Sequence, residues 1–328
     1  MRSTRRSLLF LSLLALSACG RGEEKEAARR AREAAADSAR READPRAIYG
    51  ASSAENVRVT PVEIEVPNLP PGWNGTRVAA LSDFHLGAWA DNERTAAAAV
   101  RAAVAARPDL VVLLGDYVGR GDDFAALERV LAPLRGKRVM AVLGHDDEVE
   151  RPEEPDTFRA RTIAALERAG VQVLQNNRGR FARGGDTAYV AGVEPFTARR
   201  PDWRRAEIWG GMPSEGTILL LTHMPVTAVT VPEGRFPAIL AGHTFCGNVE
   251  VPGTPRLSWV NTEIFPNTPD PAHRRIYRVR GSTLFITCGV GYGFVPVRFG
   301  YAPEVALITL RGVGGPAAKA DSAKAAGT

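Results

Sequence analysis

Apolar runs and helix-like stretches alternate along the first half of the sequence. "RVAALSD" (77–83) is an apolar run that closes in polar residues. Asn92–Ala106 is rich in alanine and reads as a helix capped by Asp91 or Asn92. "DLVVLLGD" (109–116) is continuously apolar rather than alternating, the pattern of a strand buried on both faces. Phe124–Leu134 reads as a helix, "RVMAVLG" (138–144) as another buried strand, Thr157–Ala169 as a helix and "VQVL" (171–174) as a short strand. This β-α-β-α-β-α-β order predicts a largely parallel sheet with helices outside it.

Ahead of that run, "VRVTPVEIEVP" (57–67) alternates and predicts an edge strand. Past residue 186 the character changes. "TAYVAGV", "TILLLTH", "AILAGH", "NVEVP", "TLFITCG" and "EVALITL" are strand-like, with little helix between them. The fold class this predicts is α/β, with two packed mixed β-sheets flanked by helices. No internal repeat is visible.

The candidate chemistry sits where the strands end. Four apolar runs close in Ser82-Asp83-Phe84-His85, Gly115-Asp116, Gly144-His145-Asp146-Asp147 and Thr222-His223, and a fifth closes in Gly242-His243. Of the five histidines, only His273 lies elsewhere. In an open α/β sheet, ligands bind beyond the carboxyl ends of the strands, where residues distant in sequence converge. Carboxylate oxygens and neutral imidazoles suit Mn, Fe or Zn. Asp83 and His85 are two apart in an extended segment, so both can turn toward one point. The glycines before Asp116, His145 and His243 allow sharp turns and close approach.

In this order the clusters resemble the calcineurin-like metallophosphoesterases. The family order is Asp-x-His, Gly-Asp, Gly-Asn-His-Asp or Glu, a lone His, then Gly-His-x-His. Here it runs "SDFHLG", "GDYVGRGD", "GHDDE", "LTHMP" and "AGHTFCG". The closing "GVGYGFVPVRFGYAPEVALITL" is similar to the end of the exported, single-domain branch of that family. The resemblance implies a four-layer sandwich and a two-metal hydrolase, in which paired ions clamp the phosphate and activate water for in-line attack. It implies one or two divalent ions (Mn, Zn or Fe). Asp83 and His85 would bind the first, Asp116 would bridge both, and His223 and His243 would bind the second.

Two positions depart from the pattern. Phe245 stands where the second His of Gly-His-x-His would complete the first metal site, and phenylalanine cannot coordinate. Cys246 and Asn248 lie close in sequence, but successive residues of a loop point in different directions. The segment "GHDDE" has two readings. As a substitution, His145 replaces a metal-binding Asn and Asp146 replaces the catalytic His. As a deletion, the Asn is missing and His145 is the catalytic His shifted by one. The deletion leaves the rest of the segment unchanged and is preferred on sequence grounds. An acid at Asp146 would need a raised pKa, whereas a neighbouring dication lowers it.

The ends of the chain bear on location. Residues 1–19 read as a signal segment: a basic start, an apolar stretch from Leu8 to Leu16, then Leu16-Ser17-Ala18-Cys19. The stretch is too short to span a bilayer. Its end resembles the lipobox of bacterial lipoproteins, which makes Cys19 the lipidated first residue; the alternative is a plain signal peptide cut near Ala18. Thr4-Arg5-Arg6-Ser7-Leu8-Leu9 resembles a twin-arginine export signal, the alternative being ordinary secretion. Residues 20–46, of Ala, Glu and Arg without an apolar stripe, read as a solvated stalk, the alternative being a partner-binding helix. One domain follows over 47–312, and 313–328 is small and polar, a disordered tail.

Composition adds two limits. Hydrophobic residues make up 45% and charged residues 24%, as in an ordinary globular protein. The net charge of +5 falls to +2 once Arg2, Arg5 and Arg6 of the leader are set aside, so no nucleic-acid patch is indicated. Cys246 and Cys288 either pair, as export allows, or remain two thiols. Arg298 either meets a phosphate or pairs with Glu304, Glu194 either faces the site or does not, and the five tryptophans either line a groove or pack under loops.

Two functions follow. One is a phosphoesterase, lipid-anchored outside a bacterial cytoplasmic membrane, acting on a phosphorylated small molecule, lipid or wall polymer as monoester, diester or pyrophosphate. The other is a non-catalytic lipoprotein that binds metal or a phosphorylated envelope ligand. Protein partners are not readable from the sequence.

Overall fold

A computed structural model describes residues 56–119, 123–149, 155–195, 206–247, 275–293, 298 and 301–313. The signal segment with Cys19, the stalk, the tail and the strand expected at "NVEVP" lie outside the described residues. So do His273, Trp203 and Trp259.

The first sheet holds β1 (Arg58–Pro67), β2 (Arg77–Leu81), β3 (Leu110–Leu113), β4 (Val139–Ala141), β5 (Gln172–Val173) and β12 (Glu304–Val313), in the order β1-β12-β2-β3-β4-β5. Strands β2 to β5 are parallel, and β12 is antiparallel to β2. The helices α1 (Asp91–Ala105), α2 (Phe124–Leu131) and α4 (Pro155–Arg168) make the crossovers. The second sheet runs β10-β11-β9-β8-β7-β6. Its strands are β6 (Asn177–Arg183), β7 (Asp186–Gly192), β8 (Thr217–Leu221), β9 (Ala238–Ala241), β10 (Ile276–Val279) and β11 (Ser282–Ile286). Strands β7, β8, β9 and β11 are mutually parallel, with antiparallel strands at both edges.

Both sheets are mixed, as expected, and they pack face to face. Val78, Ala80 and Val112 of the first sheet meet Val190, Leu219, Leu240 and Phe285 of the second in one buried cluster. The outer face of the first sheet packs on Ala99, Leu127 and Leu166 of the helices. The outer face of the second packs on Trp209 of a short helix, α5 (Ala206–Gly211), and on Phe236. Each fully buried Val, Leu or Phe contributes about 1.5–3 kcal/mol, so these interfaces hold the strand ends in place.

Some elements differ from the pattern-based expectation. Helix α2 stops at Leu131 and tightens into a 3-10 turn over Ala132–Leu134, because Pro133 lacks the N–H an α-helix needs. Strand β6, "NRGRFAR", was not expected, since its polar residues hide the alternation. Gly179 and Phe181 face inward while Arg180 is exposed. A four-residue helix, α3 (Asp146–Val149), begins inside "GHDDE".

Candidate metal centre

Strands β2, β3, β4, β8 and β9 each end at the same place, because all five run parallel within their sheets. The loops after β2 and β3 are laced together: Asp83 N–H donates to Gly115 O (2.9 Å) and His85 N–H to Asp116 O (3.0 Å). Glycine permits this crowding. A Cβ on Gly144 would lie 1.9 Å from Asp116 Oδ1, and one on Gly242 would lie 1.9 Å from Ser82 Oγ. Asp83, His85, Asp116 and His243 all adopt left-handed backbone, with φ between 45° and 73°. Non-glycine residues take that conformation at a cost of about 1–3 kcal/mol, and such positions cluster where side chains are aimed for function.

The ligand-type atoms form two groups that share Asp116. In one, Asp116 Oδ2 lies 3.0 Å from His223 Nε2 and 3.1 Å from His145 Nδ1. His223 Nε2 is also 3.2 Å from His145 Nδ1 and 3.2 Å from His243 Nδ1. His223 Nδ1–H donates to Leu114 O (2.7 Å), which leaves the lone pair of Nε2 facing the group. In the other group, His85 Nε2 lies 3.7 Å from Asp116 Oδ2 and 3.8 Å from Asp83 Oδ1. Among the described residues Asp83 Oδ1 and His85 Nε2 have no hydrogen-bond partner, although both are buried.

Orphaned buried donors and acceptors are costly, and ring nitrogens 3.2 Å apart cannot all present lone pairs unless something positive lies among them. The donor set therefore fits divalent metal ions. The protonation pattern without metal shows the same field. Burial alone would depress His85, but the carboxylates of Asp146, Asp83 and Asp116 outweigh it and push it up to about 10. His145 is likewise raised, against burial, to about 12 by Asp116 and Asp146. Asp116, despite burial, is held well below the usual range by His145 and His223. His243 is pushed down to about 4 by burial and by its neighbours His223 and His145.

The geometry of "GHDDE" fits the substitution rather than the preferred deletion. His145 aligns its Nδ1 with the ligand atoms, as a residue replacing the Asn would. Asp146 stands one place on, with Oδ2 3.0 Å from His85 Nδ1 and Oδ1 2.9 Å from His145 Nε2. Asp147, buried, accepts from Asp116 N (2.9 Å), Gly144 N (2.7 Å) and Tyr117 N (3.0 Å). It ties the β3 and β4 loops together. The sequence reading missed that clamp, for which the third polar residue of the cluster was the only signal.

Phe245 occupies its loop with its ring stacked on His85, centroids 5.3 Å apart and planes at 26°. Cys246 does not turn toward the ligands; it is disulfide-bonded to Cys288. Arg298 is fully buried, donates to the carbonyls of Cys288 and Gly291, and lies 5.4 Å from the Phe245 ring. Glu304, the partner read for it, is ion-paired with Arg275. Glu194 is engaged by Arg159 and Asn176. Trp73 and Trp209 are core residues rather than groove walls, whereas Trp89 is partly buried and donates to Gly293 O.

A family model described as calcineurin-like phosphoesterase matches residues 76–247, just over half of the 328 residues and every strand end named above. The chain belongs to that family. A zebrafish (Danio rerio) protein described as a transmembrane protein with metallophosphoesterase domain is 27% identical over 289 residues, covering 81% of this chain. This chain spans 60% of that relative's length. The Bacillus subtilis protein named as the uncharacterized metallophosphoesterase YkoQ is 24% identical, covering 79% of this chain and 92% of its own. Among solved structures, the phosphopantetheinyl hydrolase of Mycobacterium tuberculosis aligns with a TM-score of 0.40 at 13% identity, over 66% of this chain and 91% of its own. Among the described residues of this calcineurin-like chain, no helix is long and apolar enough to cross a membrane.

Proposed function

We propose that this chain is a metal-dependent phosphoesterase of the cell envelope, cleaving a phosphomonoester, phosphodiester or pyrophosphate at a site with one strong and one weakened metal position. The observation that carries this reading is the convergence of Asp116, His145, His223 and His243, four donor atoms from four strand ends. These residues would hold the strong position. Three imidazoles and a carboxylate favour zinc or iron over magnesium, with manganese also accommodated. Asp83, His85 and the shared Asp116 would hold the weaker one, lacking the fourth ligand whose place Phe245 takes. When bound, a divalent ion supplies Lewis acidity to a phosphoryl oxygen and lowers the pKa of water. The chain's own part is to aim the donors: Leu114 O orients His223, Asp147 braces Asp116, and the close-packed glycines fix the loops. A lipid on Cys19 and the 20–46 stalk would tether the domain to the membrane, where phosphorylated lipids, wall polymers and small molecules are the substrates within reach.

The Phe245 ring against His85 favours a second reading, a non-catalytic lipoprotein that binds metal or a phosphorylated envelope ligand. One experiment separates them. The full-length chain is purified with zinc or manganese present, its metal content measured, and its hydrolysis of an aryl phosphodiester followed. About one tightly held equivalent and turnover abolished in Asp116→Asn support the phosphoesterase. Metal without turnover, and activity appearing only in Phe245→His, supports the binding protein. No metal at all sinks both metal readings.

A further inference from the structure

Asp146 stands where the family's usual imidazole would face the reaction, yet both of its oxygens are engaged. Oδ2 lies 3.0 Å from Nδ1 of His85, and Oδ1 lies 2.9 Å from Nε2 of His145. Those two rings belong to different ligand groups. His85 turns its other nitrogen, Nε2, toward Asp83 and Asp116. His145 turns its other nitrogen, Nδ1, toward Asp116 Oδ2 and His223 Nε2. Asp146 is itself fixed from behind, its N–H donating to Asp116 Oδ1 (3.0 Å).

A neutral imidazole carries one N–H and one lone pair, and the partner of the N–H decides which nitrogen is left bare. A carboxylate only accepts, so it selects the Nδ1–H form of one ring and the Nε2–H form of the other. Building on the metal-dependent reading above, we propose that Asp146 is a positioning residue shared by both metal positions: its single carboxylate holds His85 and His145 in opposite tautomers and so presents a bare nitrogen from each to the ions. His223 obtains the same service from the Leu114 carbonyl. Carboxylates behind ligating histidines commonly set affinity by 10- to 100-fold. Here one side chain does so for two sites.

Asparagine at 146 is close in shape but offers one acceptor and one donor. Its NH2 would face an imidazole N–H, and that ring would have to move its proton to the nitrogen that should coordinate. The test uses the full-length chain labelled with 15N at its five histidines and loaded with zinc. Long-range 1H–15N correlation reads the protons. Wild type is expected to carry a proton on His85 Nδ1 and on His145 Nε2. In Asp146→Asn one of these protons moves, and zinc affinity falls about 10- to 100-fold, while His223 keeps its Nδ1–H. A bare His85 Nδ1 or His145 Nε2 in the zinc-bound wild type overturns the inference without needing any variant to fold. So does wild-type zinc affinity in a folded Asp146→Asn protein. A wild-type chain that takes up neither zinc, iron nor manganese overturns the metal-dependent reading itself, which a zinc-bound chain with misplaced protons would leave intact.

Discussion

Replacing Asp147 with asparagine removes one carboxylate oxygen and almost none of the side chain's shape. Asp147 is fully buried and takes three backbone N–H groups: those of Asp116 and Gly144 on Oδ2 and that of Tyr117 on Oδ1. Asparagine can keep two of them on its single oxygen. Its NH2 then faces the Tyr117 N–H, and a buried donor left unpaired costs about 1–3 kcal/mol. The two surviving bonds change from charge-assisted to neutral, which loses about a further 1–2 kcal/mol. Part of this is offset, because burial and the nearby Asp116 already push Asp147 up to about 7, and asparagine has no charge to desolvate. The net expectation is a loss of about 2–3 kcal/mol, equivalent to roughly 5–10 °C in Tm for a domain of this size. The effect should reach the metal centre, because the clamp holds the Asp116 backbone at φ 57°. Zinc affinity should fall by about 10- to 100-fold, the usual effect of a lost supporting group. Calorimetry with chelator present reads the stability, and zinc titration of the folded variant reads the affinity. A Tm within about 2 °C of wild type together with unchanged zinc affinity would refute the clamp.

Three further outcomes are expected. The Cys246–Cys288 disulfide closes a loop over a sequence separation of 42. The chain-entropy relation puts its contribution at about 4 kcal/mol, so Cys246→Ser with Cys288→Ser should cost about 2–4 kcal/mol in urea unfolding; a loss under about 1 kcal/mol would show that the tether is idle. Without metal, His85 and His145 have folded pKa values of about 10 and 12, above the ordinary 6.5. Their stabilisation is complete below pH 6.5 and is lost as pH rises, through about 10 for His85 and about 12 for His145, so Tm in chelator should fall progressively above pH 6.5 and zinc should flatten the fall; a flat profile in chelator would exclude the carboxylate–imidazole pairing. Because Asp146 accepts rather than donates, a leaving group should depart without its proton. Hydrolysis of aryl esters or phosphoanhydrides should then exceed that of alkyl esters by at least about 100-fold, the size of a missing general acid, and rates independent of leaving-group pKa would argue against it.

The sequence by itself determined where the chemistry sits. Continuous apolar runs such as "DLVVLLGD" can only be strands buried on both faces, and a polar residue at the end of such a run must emerge at the sheet's edge. Four histidines and four aspartates at those ends mark the centre. That signal is local, which is why it was legible. The partnerships were not local. Asp146 reaches His85 across 61 positions, and Arg298 is drawn into the core by the Cys288 and Gly291 carbonyls. Strand β6 is a strand because Gly179 and Phe181 find a sheet to cover, not because "NRGRFAR" prefers extended backbone. The choice between substitution and deletion in "GHDDE" turned on which way one imidazole faces. The left-handed backbone at Asp83, His85 and Asp116 is imposed by packed loops and by N–H groups from other strands. Sequence fixes residue types and periods; only the packing of two sheets at about 10 Å decides which of those residues come within hydrogen-bonding reach.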